Sequence, residues 1–332
     1  MRSTLLFNHD WLFIPQKVTG NIPDSAFESV TLPHTNLVLP HRNFDDKEYQ
    51  FVSTYRKRFT LPESLNGRRL MLDFDGAMLA TTVTINGHTF AEHKGGYVPF
   101  SVDITDFIHE HGENLIEIHL DSTERPDIPP FGFVVDYLAF GGIYRDVFLR
   151  YVEPCYIENV RVSTHDVTTS RAYAEADVWV KNTTDDVQKV YIGVEFEGDW
   201  ETEYATSTEV IVPANSTLKT TLTLPKGTFD LWSLDNPILY ICGVDLGLEM
   251  PNQPMILIDH IKVKFGFREA QFRADGFYLN GEHIKLRGLN RHQTYPYIGA
   301  AASARLQEKD ADIVKYDLGC NIVRTSHYPQ ST

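Results

Sequence analysis

Apolar and polar residues alternate along most of the first 265 positions. In "TVTINGHTF" (82–90) the alternation flanks Asn86-Gly87, the dipeptide favoured in a type I′ hairpin turn. "RRLMLDFDG" (68–76) and "NLIEIHLDS" (114–122) alternate in the same way, and "STYRKRFTLP" (53–62) reads as a strand closed by Pro62. No stretch up to about residue 152 sustains a period of 3.6, so the pattern predicts a two-sheet sandwich rather than an α/β fold.

From 153 to 265 the repeats shorten and become rich in Thr and Val. "AEADVWVKN" (174–182) and "VYIGVEFEG" (190–198) alternate, "ANSTLKTTLTLP" (214–225) ends a strand at Pro225, and "TTDDVQ" and "PAN" supply turns. Roughly seven short strands in about 110 residues fit an immunoglobulin-like sandwich. Asn182-Thr183-Thr184 and Asn215-Ser216-Thr217 match the glycosylation pattern but read as turns.

The last segment, 266–332, is patterned differently. "HIKLRGLN" (283–290) predicts a strand that runs into the polar stretch Arg291-His292-Gln293-Thr294. Ser303 then suits a helix N-cap, Leu306, Ile313, Val314 and Leu318 line one face, and Gly319 supplies the stop. "NIVRTSHYP" (321–329) predicts a buried strand, Asn321-Ile322-Val323, that ends in Arg324, Ser326 and His327. A strand–helix–strand unit of this kind builds parallel sheets and (β/α)8 barrels. A whole barrel needs about eight strands and about 250 residues, so only its start is predicted here.

Composition narrows the function. The chain has 332 residues, 42% of them hydrophobic and 12% aromatic, with a net charge of −15. Such a surface repels phosphate backbones and argues against nucleic acid, while neutral ligands meet no such barrier. Cys155, Cys242 and Cys320 are odd in number and far apart, which predicts free thiols rather than a disulfide framework or zinc ribbon. The apolar start of the N-terminus breaks at Asn8-His9-Asp10, and no run of about eighteen apolar residues occurs. The expectation is a cytoplasmic protein with no membrane partner.

Both strands of the last segment end in polar clusters, Asn290-Arg291-His292 and Arg324-Thr325-Ser326-His327. Ligands bind at the carboxyl ends of parallel strands because loops converge there. Two readings stay open on spacing alone: a binding site, or loop residues that satisfy local backbone groups. His292 and His327 have no third ligand at a recognisable spacing, which argues against a metal.

"GFREAQFRADGFYLNGEHIKLRGLNRHQTYP" (266–296) followed by "NIVRTSHYP" resembles the barrel entry of glycoside hydrolase family 2, which includes β-galactosidases, β-glucuronidases and β-mannosidases. "YRKRF" (55–59), "GGIYRDV" (141–147) and "WSLDNPILY" (232–240) resemble earlier motifs of that family in the same order, although Leu234 stands where the family often has proline. The resemblance implies a mainly β chain: a jelly-roll sugar-binding domain over 1–152, an immunoglobulin-like sandwich over 153–265 and the truncated start of a (β/α)8 barrel over 266–332. It also implies site roles. Asp136, six residues before Gly142, is similar to an aspartate that reaches the barrel mouth and contacts the sugar and a sodium ion. Arg324 resembles an arginine that orients the nucleophilic carboxylate, and His327 a histidine that hydrogen-bonds the sugar. Asn290 and His292 occupy the corresponding loop after the first strand. Tyr295 stands where many β-galactosidases have a substrate-facing histidine, which weakens the choice of galactose over another hexose.

The resemblance stops short of the chemistry. Retaining glycosidases use two carboxylic acids about 5–5.5 Å apart. The family's two are glutamates on later barrel strands, the acid/base following asparagine, and no Asn-Glu dipeptide occurs in this sequence. Glu308, Asp310 and Asp312 read as a solvated helix face, and Glu282 precedes the first barrel strand. The expected function is therefore that of the N-terminal part of a retaining β-glycosidase, most specifically a β-galactosidase, inactive as 1–332, whose barrel continues beyond residue 332. The alternative is a non-catalytic module that binds carbohydrate or complements a barrel fragment; an adhesion protein would account for the β domains but not for "NRHQ" or "RTSHYP". No cofactor is implied for this chain beyond a sodium or magnesium ion in the complete enzyme. Expected partners are a β-galactoside-like carbohydrate and either a second copy or a complementary barrel fragment.

Overall fold

The computed structural model describes the chain except for residues 41–44, 46, 133, 134, 136, 198–203, 250–254 and 332, and the side chains of 197 and 204. It is mainly β and divides into two compact units. One comprises Thr4–Arg150 with Gly288–Thr332, the other Met1–Ser3 with Tyr151–Arg287.

Among the described residues, the first unit's sandwich has a four-stranded sheet in the order Ser3–Leu6, Val147–Val152, Arg69–Phe74, Phe100–Asp103. Its other sheet is seven-stranded, built on Glu28–Val30, Trp11–Ile14, Val52–Phe59, Asn114–Asp121 and Ala80–Ile85, with two short strands paired to the last. Asn114–Asp121 shows why the period of two produces this. Asn114, Ile116, Ile118 and Leu120 are buried, while Leu115, Glu117, His119 and Asp121 are partly exposed. The hairpin at Asn86-Gly87 has φ of 48° and 89°, the double positive φ that a type I′ turn requires.

"YRKRF" proves to be a strand with buried charges. Tyr55, Arg56 and Lys57 are all buried. The Arg56 guanidinium reaches Glu117 at 2.8 Å and Asp24 at 2.7 Å, and Lys57 donates to the His9 carbonyl. Nearby, His34 lies 2.9 Å through Nδ1 from the Tyr55 hydroxyl, and burial pushes its pKa down to about 4.

The second unit has, among the described residues, a three-stranded sheet (Cys155–His165, Tyr173–Asn182, Ser216–Thr223) and a four-stranded sheet (Tyr204–Val212, Gln188–Glu197, Tyr240–Leu248, Ile256–Phe265). These are the seven strands expected of an immunoglobulin-like sandwich. Alternating Val178, Val180, Ile192, Val194, Val244 and Leu246 form its core with a cluster of aromatic rings, including Phe229 stacked on Phe267 at 4.0 Å. Asn182 is buried and turns back on its own loop, donating to Asp186 O and accepting from Thr184 N–H, which fits a turn. The thiols of Cys155 and Cys242 are buried, and burial pushes both up to about 12; Cys320 is half-buried. Asp259 is fully buried and accepts from Arg2 at 3.0 and 2.8 Å and from Ile157 N–H at 2.8 Å.

The last segment differs from expectation in three ways. "HIKLRGLN" is not one strand. Glu282–Ile284 joins an antiparallel sheet with Ala270–Arg273 and Gly276–Leu279, whereas Gly288–Asn290 pairs in parallel with Ile322–Arg324. One straight strand cannot serve both partners, so the chain breaks at 285–287. Second, the strand after the helix is not buried: Ile322 and Val323 are 41% and 37% exposed, and Leu289 beside them 48%. A pair of three-residue strands offers too little surface to build a layer over itself.

Third, the helix Ala304–Asp312 continues as a π turn, Ile313–Asp317, before Gly319 stops it at φ 63°. The wider turn rotates the following residue away from the apolar stripe. Leu306, Ile313 and Val314 remain half-buried, but Leu318 is 56% exposed. Ser303 has the extended backbone of an N-cap without a side-chain bond to the helix. No helix among the described residues is long and apolar enough to cross a membrane.

Three outcomes follow from this packing. Asp259→Ala leaves Arg2 without its buried partner and Ile157 N–H without its acceptor, and should cost about 3–5 kcal/mol in urea unfolding; a change within error would show that the pair carries no net stability. His34 binds its proton less readily when folded, so its contribution is whole above pH 6.5 and declines as pH falls toward 4. His34→Asn should flatten that part of the stability–pH curve by on the order of 1 kcal/mol. Backbone amides of 289–290 and 322–324 should exchange with deuterium far faster than those of Ile192 or Ile118; equal protection would contradict the exposure of this strand pair.

Candidate saccharide site

In the first unit, the parallel pair Gly288–Asn290 and Ile322–Arg324 delivers two loops to one place. Register sets Asn290 opposite Arg324, so both polar clusters leave the sheet at the same level, and Arg291 N–H bonds Arg324 O at 2.9 Å. Gly288 permits this closeness: a Cβ there would lie 2.1 Å from the Ile322 carbonyl oxygen.

The loops meet in a cluster of rings. Tyr137, from the sandwich, lies 5.3 Å from His292, 5.7 Å from His327 and 5.3 Å from Tyr328, centroid to centroid. The two histidine rings are 5.9 Å apart, and Tyr328 stacks on Tyr97 at 4.6 Å with 9° between the planes. The Tyr328 hydroxyl accepts the Gln293 N–H at 3.1 Å and lies 3.1 Å from His292 Nδ1. Burial raises the pKa of both Tyr328 and Tyr97, so these phenols stay protonated donors.

His327 is exposed, with its Nδ1 3.3 Å from an Arg324 Nη, and holds φ at 76°. A non-glycine residue in the left-handed region is uncommon, and such residues gather at functional sites. Between them, Ser326 is fully buried and its hydroxyl has no partner among the described residues. Asn290 is exposed at the strand end. Asp136 lies outside the described residues.

Tyr295 is held elsewhere. Its hydroxyl donates to Asp310 at 2.6 Å and accepts from Arg291 at 3.0 Å, and burial and Asp310 raise its pKa. Asp310 is therefore not part of a solvated helix face: it pairs with Arg291 at 2.7 Å, and Arg291 also bonds Gln307 and Gln330. The charge of Arg291, sequestered at the base of the loop, draws the acid inward. Glu308 and Asp312 are exposed as expected. Among the described residues no three His, Cys, Asp or Glu side chains converge as a metal site.

The sequence motifs mark some of the groups gathered here and not others. Tyr328 lies within "SHYP" and Arg291 beside His292, so their motifs carry a signal. Tyr97 and Tyr137 carried none, since an aromatic in a loop looks the same whether or not a barrel mouth faces it.

The "Glycosyl hydrolase 2 galactose-binding domain-like" model matches residues 21–128, the "Glycosyl hydrolases family 2" model 155–268, and the family 2 TIM barrel domain model 271–332. A β-galactosidase of Thermoanaerobacter pseudethanolicus is 40% identical across 99% of this chain and 44% of its own length. A β-galactosidase of Thermoanaerobacterium thermosulfurigenes is also 40% identical, across 100% and 46%. The crystal structure of Bacteroides uniformis β-glucuronidase superposes with a TM-score of 0.88 at 28% identity, covering 99% of this chain and 40% of that one. The chain thus spans less than half the length of these relatives. With three family models in order along its length, the chain belongs to glycoside hydrolase family 2 and corresponds to the N-terminal portion of its members.

Proposed function

We propose that this chain forms the saccharide-positioning part of a retaining β-glycosidase that acts on β-galactosides. The observation that carries the reading is the convergence of Tyr137, His292, His327 and Tyr328 at the mouth of the parallel pair. Aromatic faces suit the C–H face of a pyranose, and imidazole and phenol groups suit its hydroxyls. Galactose is favoured by the 40% identity to two β-galactosidases, with the departure at Tyr295 set against it. Arg324, beside His327, has the charge to orient a carboxylate brought to the mouth, and Asn290 the amide to bind a hydroxyl. Asp136 remains the residue proposed to bind the sugar and a sodium ion, with sodium or magnesium as the ion of the complete enzyme.

Hydrolysis needs a general acid/base and a nucleophile. Asp310, on the helix behind the loop, is bound by Arg291 and Tyr295. In this reading the two glutamates come from further barrel strands, and 1–332 alone positions sugar without cutting it. The exposed apolar residues Leu289, Ile322, Val323 and Leu318 favour a related second reading, in which this chain complements a separate barrel fragment.

Purified 1–332 should show no turnover of a chromogenic β-galactoside; activity that follows the protein through purification would overturn this. Titration with galactose, followed by aromatic NMR signals, should give a Kd on the order of millimolar, with glucuronate and mannose weaker. Equal or tighter binding of glucuronate would move the assignment to that sugar.

A further inference from the structure

We propose that Arg145 of "GGIYRDV" is the positioning residue of this site, the group that holds both mouth loops against the sandwich. Only its consequence for sugar binding rests on the saccharide reading above. Arg145 is 6% exposed, yet the bonds its guanidinium makes go to neutral oxygens on four separate segments. One Nη donates to the carbonyls of Tyr97 at 2.9 Å and Asp75 at 3.3 Å, both in the sandwich. The other donates to the Pro329 carbonyl at 2.7 Å and reaches Gln293 Oε1 at 3.5 Å, each on one of the mouth loops.

The planar fork is what allows one side chain to serve both sides, since its donors diverge at fixed angles. Gln293 extends the hold by accepting Ser331 N–H at 3.2 Å. The arginine also fixes the register of the ring stack: it binds the carbonyl of Tyr97 and that of Pro329, the residue after Tyr328, and those two tyrosines stack on each other. The fold makes room for it at Gly76, where a Cβ would stand 2.9 Å from Arg145 Cδ. Arg145 Nε has no partner among the described residues. A buried donor left unmatched is the sort of cost retained where geometry serves a site.

The test uses the 332-residue chain with Arg145→Gln and Arg145→Lys. NMR reads the ring-current-shifted signals of Tyr328 and His327, the methyl signals of Ile116, Ile118 and Leu120, and the response to added galactose. In Arg145→Gln the Tyr328 and His327 signals should move to unstacked positions while the core methyls stay in place. Galactose affinity should fall at least about tenfold, the loss expected for one charged hydrogen bond. Arg145→Lys should fall between, because an ammonium has no planar fork. Unmoved Tyr328 and His327 signals in Arg145→Gln overturn the proposal. If that variant does not fold, Arg145→Lys is decisive: shifted ring signals over intact core methyls support the proposal, and collapsed core methyls overturn it by making Arg145 a plain core residue. Wild-type chain that binds no galactose, with ring signals that still move in Arg145→Gln, removes the saccharide reading and leaves the positioning role standing.

Discussion

A parallel pair of three-residue strands cannot hold its own loops, and the architecture of the first unit answers that constraint. Two such strands share few hydrogen bonds, and their Leu289, Ile322 and Val323 stay partly exposed. Order at their mouth is instead borrowed from the sandwich, through the Tyr97–Tyr328 stack, the packing of Ala300 and Ala301 against Met78, Leu79 and Tyr144, and the Tyr297 N–H bond to Leu39 O. Residues 288–332 accordingly belong to the same compact unit as the sandwich far upstream in sequence. The barrel start is less an independent domain than a graft on a β scaffold.

That arrangement explains the division of labour among the polar residues. Arg291, Asp310, Tyr295 and Gln307 form a network behind the loop that fixes the path from strand to helix. His292, His327, Tyr137 and Tyr328 face one another in front of it. Neighbours in sequence thus take different sides, Arg291 in the network and His292 in the ring cluster.

How far the sequence could be read depended on the range of the interactions involved. Period-two alternation exposed the strands of both sandwiches, because each strand records its own burial: the buried face of Asn114–Asp121 follows directly from "NLIEIHLDS". The Asn86-Gly87 turn was equally local. Failures came where a partner distant in sequence decides. Asp310 sits on a helix face that looks solvated until Arg291 is folded beneath it. "HIKLRGLN" looks continuous until its halves find different sheets, and Ile322 and Val323 look buried because their composition anticipates neighbours that the described residues do not provide. Tyr97 and Tyr137 were illegible for the same reason. The π turn at Ile313–Asp317 has no sequence mark at all, so the position of Leu318 could not be foreseen.

The near contact at Gly288 carries one more consequence. With hydrogen in place of a methyl group, the two backbones lie almost touching at the root of the pair, and every loop beyond inherits that spacing. The separation of the two imidazoles is thus set partly by an atom that is absent four residues upstream of His292. A family could retune the width of such a mouth without altering any group that touches its guest, simply by wedging the strands apart below it.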